Sequence, residues 1–282
     1  MNNQGNPKAA AWTAAELASP HDRADKAGRV RAMFAAIAPT YDLNNRLHSF
    51  GRDQAWRRRA VREAGVREFD VVVDVACGTG DLTEAFARAG AGRVIGVDFT
   101  GEMLAIAEQK RDRMPPGTRA RIEYVQGDAM ALDLEDASAD IISIAFGIRN
   151  VADPARALAE FYRALRPGGR LVILEFDHPR AEPLRAINDF YCSVIMPRTA
   201  TWLSRDRSGA YRYLPSSVRT FLDREQLGAL VACAGFDQIR SIPLTLGVCA
   251  CTVARRGKAQ GLRDALSDAH ESVRERAVLS NA

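Results

Sequence analysis

The sequence lacks any stretch of about 18 consecutive apolar residues, the length that an α-helix needs to cross a bilayer. Residues 1–19 also lack the apolar core behind basic residues that marks a secretory signal peptide. No Cys-x-x-Cys pair occurs among the five cysteines, and no histidine lies near them at ligand spacing, so we expect no metal site. An odd number of cysteines without a disulfide framework is typical of reduced thiols. We therefore expect a cytoplasmic protein.

Charge of one sign is not in large excess, because 39 Lys and Arg residues against 35 Asp and Glu residues leave a net charge of +4. A charge of that size does not by itself indicate a nucleic-acid partner. A chain of 282 residues that is 47% hydrophobic can form one large domain. We expect this domain over residues 29–255, between a mobile polar tail at 1–28 and a charged tail at 256–282.

Within the domain, short apolar runs alternate with stretches of helical periodicity, which indicates parallel strands joined by helices. The predicted strands are Val71–Val75, Arg93–Phe99, Arg121–Gln126, Asp140–Phe146 and Arg170–Phe176, followed by a closing antiparallel hairpin of Gln238–Leu246 and Val248–Ala254. The predicted helices include Trp56–Ala64, Leu82–Ala89, Met103–Arg113, Pro154–Leu165 and Asp223–Ala234. The sequence thus predicts an α/β fold with helices on both faces of a parallel sheet.

A long apolar stretch over residues 183–203, with largely helical spacing, interrupts this alternation within an insertion near residues 180–215. We interpret it as an insertion that covers the ligand edge of the sheet. Its large apolar side chains either form a tunnel for a ligand or pack as ordinary core, and they are Phe190, Tyr191, Val194, Ile195, Met196 and Trp202.

The clearest functional signal is the loop after the first strand, which contains Asp74, Gly78, Thr79, Gly80 and Asp81. Glycines there let a ligand approach the backbone, at the sheet edge where α/β folds bind ligands. A dinucleotide site would place a third glycine where Thr83 stands. The carboxylates of Asp74 and Asp81 would repel a pyrophosphate but attract a sulfonium and an α-ammonium group. The loop therefore favours S-adenosylmethionine over NAD.

Two more acids follow the next two strands. Asp98 ends the second strand, where an acid accepts hydrogen bonds from the ribose hydroxyls of a nucleoside. Asp128 follows the third strand and is placed to accept a hydrogen bond from the adenine amino group. Each acid alone would be an ordinary loop residue or helix cap, but acids at three successive strand ends indicate one nucleoside site.

Four segments resemble the ubiquinone/menaquinone C-methyltransferase family (UbiE/MenG), which belongs to the class I methyltransferases with a Rossmann-like fold. They are FAAIAPTYDLNN at 34–45, AFGIRNV at 145–151, PGGR at 167–170 and SGAYRYL at 208–214. The segments at 145–151 and 208–214 are specific, whereas the whole superfamily shares the glycine loop. The resemblance runs from about residue 30 to residue 255. It implies methylation, by S-adenosylmethionine, of a ring carbon in a prenylated hydroquinone.

The resemblance also implies which residues contact the cofactor, namely Thr79, Asp98, Asp128, Ala129 and Ala145. Relatives often carry Ser at position 145, so a side-chain hydrogen bond there would be missing. We complete the predicted cofactor site with Phe99 and Met103 after the second strand and with Asp74, Gly78 and Gly80 of the glycine loop.

A ring carbon is a poor nucleophile until the neighbouring hydroxyl, whose pKa in water is about 10, loses its proton. Arg149 is predicted to stabilise the resulting oxyanion, unless it only fixes its own loop through a salt bridge. Asn150 is expected to orient a water or the quinol. Tyr41 and Asp42 are expected to close over the ring, with a water relayed to Asp42 as the base; core packing explains Tyr41 equally well.

Several alternatives stay open. The acceptor is another small phenolic or amine metabolite, or the chain is a non-catalytic cofactor-binding subunit of a quinone-synthesis complex. Between benzoquinol and naphthoquinol acceptors we favour demethylmenaquinol. A nucleic-acid substrate is not expected, because an Asn/Asp-Pro-Pro-aromatic motif is missing after the fourth strand. A homodimer and peripheral contact with the inner membrane face also stay open, and the basic run Arg57–Arg59 fits a solvated face better than a lipid contact.

Overall fold

The fold was analysed in a computed structural model that describes residues 12–21, 23–204 and 209–257. A seven-stranded sheet forms its centre, with β1 (Val71–Val75), β2 (Arg93–Asp98), β3 (Ile122–Gln126), β4 (Ala139–Ala145), β5 (Leu165–Phe176), β6 (Phe236–Leu244) and β7 (Cys249–Arg256). The strand order is β3-β2-β1-β4-β5-β7-β6. Strands β1 to β5 are parallel, and β7 is antiparallel to both β5 and β6. The predicted parallel sheet with a closing hairpin is confirmed.

The strand order creates the site. The chain runs outward from β1 to β2 and β3, then returns to the other side of β1 with β4. β1 is mainly Val and β4 mainly Ile and Ala, and both strands are buried on both faces, as parallel strands covered by helices must be. A ligand crevice is expected where the order reverses, beyond the carboxyl ends of β1 and β4.

Twelve α-helices surround the sheet within the described residues: α1 (Ala14–Ala18), α2 (Lys26–Ile37), α3 (Tyr41–His48), α4 (Arg52–Ala64), α5 (Asp81–Arg88), α6 (Gly101–Asp112), α7 (Pro116–Arg119), α8 (Pro154–Ala164), α9 (Glu182–Phe190), α10 (Met196–Ser204), α11 (Ala210–Arg219) and α12 (Arg224–Cys233). A π-helical turn over Tyr191–Ile195 joins α9 to α10. Helices α8 and α12 contribute to one apolar core, and α4 and α5 to a second. A third core joins α2, α10 and α11.

The interpretation of residues 1–28 as a mobile tail is wrong for residues 12–21 and 23–28. Trp12 is 2% exposed, and its ring centroid lies 4.7 Å from that of Tyr213 in α11. Thr13 and Glu16 cap α1 by exchanging hydrogen bonds with each other's backbone N–H. Burial of one large aromatic ring, together with this capping box, orders a segment whose composition is otherwise polar.

At the other end of the chain, β7 runs to Arg256, one residue into the predicted charged tail. Residues 1–11, 22, 205–208 and 258–282 lie outside the described residues. In the part of the chain that is described, no helix combines the length and the hydropathy required to cross a membrane.

Candidate functional site

Two adjoining cavities open at the carboxyl edge of the sheet. The first has about 830 Å³ of open space and lies over the ends of β1, β2 and β4. The second, with about 2250 Å³, lies between α2, α3 and α4 on one side and α9, α10 and α11 on the other. Phe34, Tyr41 and Phe146 line both cavities. These three side chains therefore form the boundary at which two ligands would meet.

Asp98 lies in the wall of the first cavity and is 8% exposed. Its two carboxylate oxygens accept hydrogen bonds from the backbone N–H groups of Gly78 and Thr100, both at 2.8 Å. Burial raises the pKa of Asp98, and these two N–H groups oppose the rise. The carboxylate is thus held rigidly at the end of β2, and each oxygen retains a lone pair for a ligand.

A second acid of the first cavity, Asp128, accepts a hydrogen bond from the Met130 N–H at 2.9 Å. Seven of the ten predicted cofactor residues line this cavity: Gly78, Asp98, Phe99, Met103, Asp128, Ala129 and Ala145. The donor set fits S-adenosylmethionine, because one fixed carboxylate can accept from two ribose hydroxyls, the second can accept from an amino group, and the walls between them are apolar.

Asp74 is one of the three predicted cofactor residues that do not line the first cavity. It is 1% exposed and accepts hydrogen bonds from the hydroxyls of Thr83 at 2.7 Å and Ser143 at 2.8 Å. Burial raises the pKa of Asp74 to about 6. Its carboxylate ties β1 to α5 and β4 beneath the loop.

Gly80 and Thr79 are the other two predicted cofactor residues that do not line the first cavity. Gly80 has a φ of +85°, and a Cβ there would collide with the Tyr124 hydroxyl, so the packing of the loop requires this glycine. The Thr79 hydroxyl donates a 2.5 Å hydrogen bond to Asp42 Oδ1. Both residues shape the loop from behind rather than from the cavity side.

Asp81 does not line the first cavity either, because its carboxylate forms an ion pair with Lys110 and accepts a 2.8 Å hydrogen bond from Gln54. The expectation that Asp74 and Asp81 repel a pyrophosphate is therefore wrong. The carboxylates that line this cavity are those of Asp98 and Asp128.

Arg149 follows β4 and faces the second cavity, although it is only 4% exposed. Its Nη1 donates to the Phe146 carbonyl and to Glu175 Oε1, both at 2.7 Å. The preceding loop can approach β1 because residue 147 is glycine; a Cβ there would lie 2.6 Å from the Cβ of Ala76. Arg149 therefore has both predicted features, a salt bridge within the fold and a cation at the cavity wall.

The other predicted catalytic residues divide between the cavities. Asn150 lines the first cavity, and its Oδ1 accepts a 3.1 Å hydrogen bond from the Tyr213 hydroxyl. Tyr41 lies at the boundary; burial raises its pKa, and the nearby Arg57 and Arg149 oppose the rise. Tyr41 is thus at the junction of the two cavities, and Asn150 lies in the wall of the first.

Asp42 is not. It lies between the Thr79 hydroxyl and Lys110, whose Nζ is 2.9 Å from Asp42 Oδ2, and it lines neither cavity. The prediction that Asp42 acts as the base through a water is wrong, because α3 directs Tyr41 and Asp42 to different sides.

The inner end of the second cavity is aromatic. The ring centroids of Phe146 and Phe176 are 4.7 Å apart, and Trp56 packs within 6.3 Å of both. The guanidinium of Arg57 lies 5.6 Å from the Phe146 centroid, and that of Arg149 lies 5.3 Å from the Phe176 centroid. This arrangement provides flat apolar walls with two cations beside them.

The predicted apolar tunnel is only partly correct. Tyr191 and Met196 line the second cavity, but Phe190, Ile195 and Trp202 are 59%, 41% and 82% exposed. Val194 lines neither cavity. The outer side of α9 and α10 therefore presents large apolar side chains to the surroundings rather than to the cavity.

Sequence reasoning missed several residues at the second cavity or behind it: Trp56, Arg57, Glu175, Phe176 and Tyr213. Arg57 had a usable signal, because Asp53, Trp56, Arg57 and Ala60 share the buried face of α4 at helical spacing. Glu175 stands in an apolar strand, and an isolated acid in such a strand needs a buried partner. His48 and His178 also line the second cavity.

The profile of the ubiE/COQ5 methyltransferase family matches residues 22–256. The ubiquinone/menaquinone biosynthesis C-methyltransferase UbiE of Enterobacter sp. (strain 638) is 40% identical over 230 residues, which cover 81% of this chain and 90% of that protein. The chain belongs to the ubiE/COQ5 methyltransferase family. The UbiE protein of Escherichia coli is also 40% identical to this family member, over 80% of this chain and 89% of the relative.

Solved structures share the fold of this ubiE/COQ5 family member. A SAM-dependent methyltransferase from Thermotoga maritima aligns with a TM-score of 0.54 and 20% identity, over 80% of this chain and 99% of that one. A SAM-dependent methyltransferase from Aquifex aeolicus aligns with a TM-score of 0.53 and 17% identity, over 76% and 97% of the two chains. The predicted class I methyltransferase, Rossmann-like fold is confirmed.

Proposed function

We propose that this chain is an S-adenosylmethionine-dependent C-methyltransferase of ubiquinone or menaquinone biosynthesis, and that its acceptor is demethylmenaquinol. The junction of the two cavities carries the proposal. One cavity has the acids for a nucleoside, the other is large and apolar, and Tyr41 and Phe146 line both. Trp56, Phe146 and Phe176 pack against one another in the wall of the second cavity and offer the quinol ring an aromatic surface. The preference for a naphthoquinol over a benzoquinol rests on the family resemblance.

In the first cavity, Asp98 would accept the ribose hydroxyls of S-adenosylmethionine, and Asp128 would accept its adenine amino group. When bound, the cofactor supplies a methyl group on a positively charged sulfur. Ala145 offers no side-chain hydrogen bond, so binding in this region depends on the backbone and on the apolar wall. Together these residues would hold the nucleoside part of the cofactor in the first cavity.

In the second cavity, Arg149 would stabilise the quinol oxygen as its proton leaves to water in the open cleft. The charge moves into the ring, and the carbon beside the oxygen becomes the nucleophile. That carbon gains the methyl group and then loses its own hydrogen as a proton, which restores the aromatic ring. Oxidised quinone has no ionisable hydroxyl and an electron-poor ring, so the enzyme should use only the reduced form.

Large apolar side chains are exposed on the helices beside the second cavity. Leu43, Leu47 and Phe50, in and just after α3, are 57%, 53% and 79% exposed. The Phe50 ring is 5.7 Å from that of Tyr191, the neighbour of the exposed Phe190, and α3 packs against α10, which carries the exposed Trp202. We call these exposed apolar side chains the apolar rim, and we infer that it contacts the membrane in which the prenyl chain is dissolved.

Methyl transfer tests the function. Labelled S-adenosylmethionine is incubated with short-tailed demethylmenaquinol, with the corresponding benzoquinol, or with simple phenols and amines, each with and without dithionite. We expect a ring-methylated product from the reduced naphthoquinol alone or at the highest rate. An O-methylated product, or equal use of the oxidised quinone, would contradict the mechanism. Turnover of a phenol or amine in its place would support the broader acceptor class, and binding without any turnover would support a cofactor-binding subunit.

Vesicle sedimentation tests the apolar rim. Wild-type protein should sediment with phospholipid vesicles, and Phe50→Ser with Trp202→Ser should reduce the bound fraction while the variant remains folded. Phe69→Ser is the control, because Phe69 is 86% exposed but precedes β1, at the opposite edge of the sheet from the two cavities. Self-association in the absence of vesicles, lost in the same double variant, would assign the rim to a second copy of the chain instead.

A further inference from the structure

The basic run Arg57–Arg59 divides into three environments in α4. Arg57 is 7% exposed and lines the second cavity. Arg58 is exposed, and Arg59 forms a surface ion pair with Glu63 at 2.7 Å. The helix turns about 100° per residue, so three adjacent side chains reach a cavity, the solvent and a neighbouring side chain in turn. The interpretation of the run as a solvated face is therefore wrong for Arg57.

We propose that Arg57 is a second cationic residue of the substrate site, which binds the ring oxygen opposite the one that Arg149 binds. This inference rests on the proposed function, because a 1,4-quinol carries two oxygens at opposite ends of its ring. It assigns a specificity role to a residue outside the segments at 145–151 and 208–214. With two cations, the site would distinguish a para-dioxygenated ring from a simple phenol.

The contacts of Arg57 leave it free to bind a ligand. Among the described residues, its guanidinium donates one hydrogen bond, from Nη1 to Asp53 Oδ2 at 2.9 Å. Asp53 fixes the group without using its other donors, and Asp53 in turn accepts a 3.0 Å hydrogen bond from the Ser49 hydroxyl. A guanidinium has five N–H donors, so Nε and Nη2 can bind an oxygen in the cavity.

Arg57 and Arg149 both lie at the inner, aromatic end of the second cavity. Each guanidinium lies beside a different member of the Phe146–Phe176 ring pair, at 5.6 and 5.3 Å from the ring centroids. Both also lower the pKa of the Tyr41 hydroxyl at the cavity boundary, which means that both fields reach the place where the ring would lie. An oxygen near either cation is stabilised by a charged hydrogen bond in an apolar environment.

Two redox-inert analogues test this assignment through binding alone. They are the two short-tailed prenyl-naphthols that each lack one of the two quinol oxygens. Dissociation constants are measured by fluorescence for wild type, Arg57→Met and Arg149→Met. We expect Arg57→Met to raise the dissociation constant of one isomer by about 10- to 100-fold and to leave that of the other unchanged. Only one isomer presents the oxygen that this residue binds. Arg149→Met should show the opposite pattern.

Arg58→Met is the matched control and should bind both isomers like wild type, since Arg58 is exposed on the same helix. S-adenosylmethionine affinity reports folding, and Arg57→Gln is measured in the same way if Arg57→Met does not fold. An equal loss for both isomers, or no loss for either, would overturn the proposal. Failure of the proposed function itself is distinguishable, because wild type would then bind neither isomer.

Discussion

Arg149 and Glu175 form a buried ion pair at the wall of the second cavity, with Nη1 2.7 Å from Oε1. The two side chains are 5% and 3% exposed, and the pair joins the loop after β4 to the end of β5. Arg149 Nε and Glu175 Oε2 are buried without a hydrogen-bond partner among the described residues. Burial raises the pKa of Glu175, and the charge of Arg149 opposes that rise. Glu175 therefore fixes the orientation of the cation that faces the substrate.

We predict that Arg149→Ala lowers kcat by about 100-fold or more, the scale of losing one oxyanion donor. Arg149→Lys should also lose activity, because it keeps the charge but not the planar fork. Glu175→Gln should lose less, and adding it to Arg149→Ala should cost little further activity, since Glu175 acts through Arg149. Methyl-transfer rates at saturating substrate check these values. Wild-type rates in Arg149→Ala would reduce that residue to a structural role.

The first cavity makes a separate prediction for cofactor binding. Asp98→Ala should weaken the binding of S-adenosylmethionine by about 1–3 kcal/mol, because the ribose hydroxyls lose a charged acceptor. Titration calorimetry measures the change. Asp74→Asn is the matched control and should keep the wild-type dissociation constant, because Asp74 does not line the cavity. The same affinity in folded Asp98→Ala would show that another group holds the ribose.

The packing of Trp12, just before α1, predicts that the N-terminal segment stabilises the fold. Trp12 is 2% exposed, whereas Trp202 is 82% exposed. Trp12→Ala should lower the free energy of unfolding by about 3 kcal/mol, the usual cost of truncating a buried aromatic residue, and Trp202→Ala should leave it nearly unchanged. Urea unfolding compares the two variants. Equal stability of both would mean that α1 detaches without cost.

Removal of residues 1–25 should have a second effect, on the substrate. Leu17 and Ala18 line the second cavity, so the truncated enzyme should show a raised KM for the quinol while its affinity for S-adenosylmethionine changes little. Steady-state kinetics and calorimetry separate the two quantities.

Asp74 predicts a pH dependence of stability. Its pKa is raised to about 6 in the folded protein, against about 4 in an unfolded chain. The folded state therefore binds this proton more tightly, so the contribution of Asp74 to stability is greatest below about pH 4 and is lost as the pH rises through about 6. Residue 74 does not titrate in Asp74→Asn. Between pH 4 and pH 7, the unfolding free energy of this variant should therefore rise by about 2–3 kcal/mol relative to that of wild type. Parallel stability curves would contradict this.

Much of the sheet and of the cofactor site could be predicted because the signals are local. Most core strands are short apolar runs rich in Val and Ile, Asp98 is the last residue of β2, and Asp128 follows β3 by two residues. The N-cap of α12 is equally local, since Asp223 and Gln226, three residues apart, form a capping box. Helix α11 was missed because Pro215 interrupts its helical pattern.

What could not be predicted depends on contacts between distant parts of the chain. Glu175 is recognisable only beside Arg149, and Trp12 only beside Tyr213. Asp42 was assigned to the wrong side because its partners are Thr79 and Lys110, both far away in sequence. Spacing within α3 gave no information about either partner.

The shared boundary at Phe34, Tyr41 and Phe146 suggests how the enzyme can be inhibited. A single molecule with adenosine at one end and an isoprenoid chain at the other could pass this boundary and fill both cavities. Joining the two halves makes the second binding event intramolecular, so the affinity of the linked compound can exceed that of either half by orders of magnitude. Methyltransferases that lack the second cavity would bind only the adenosine half, and selectivity would come from the lipid end.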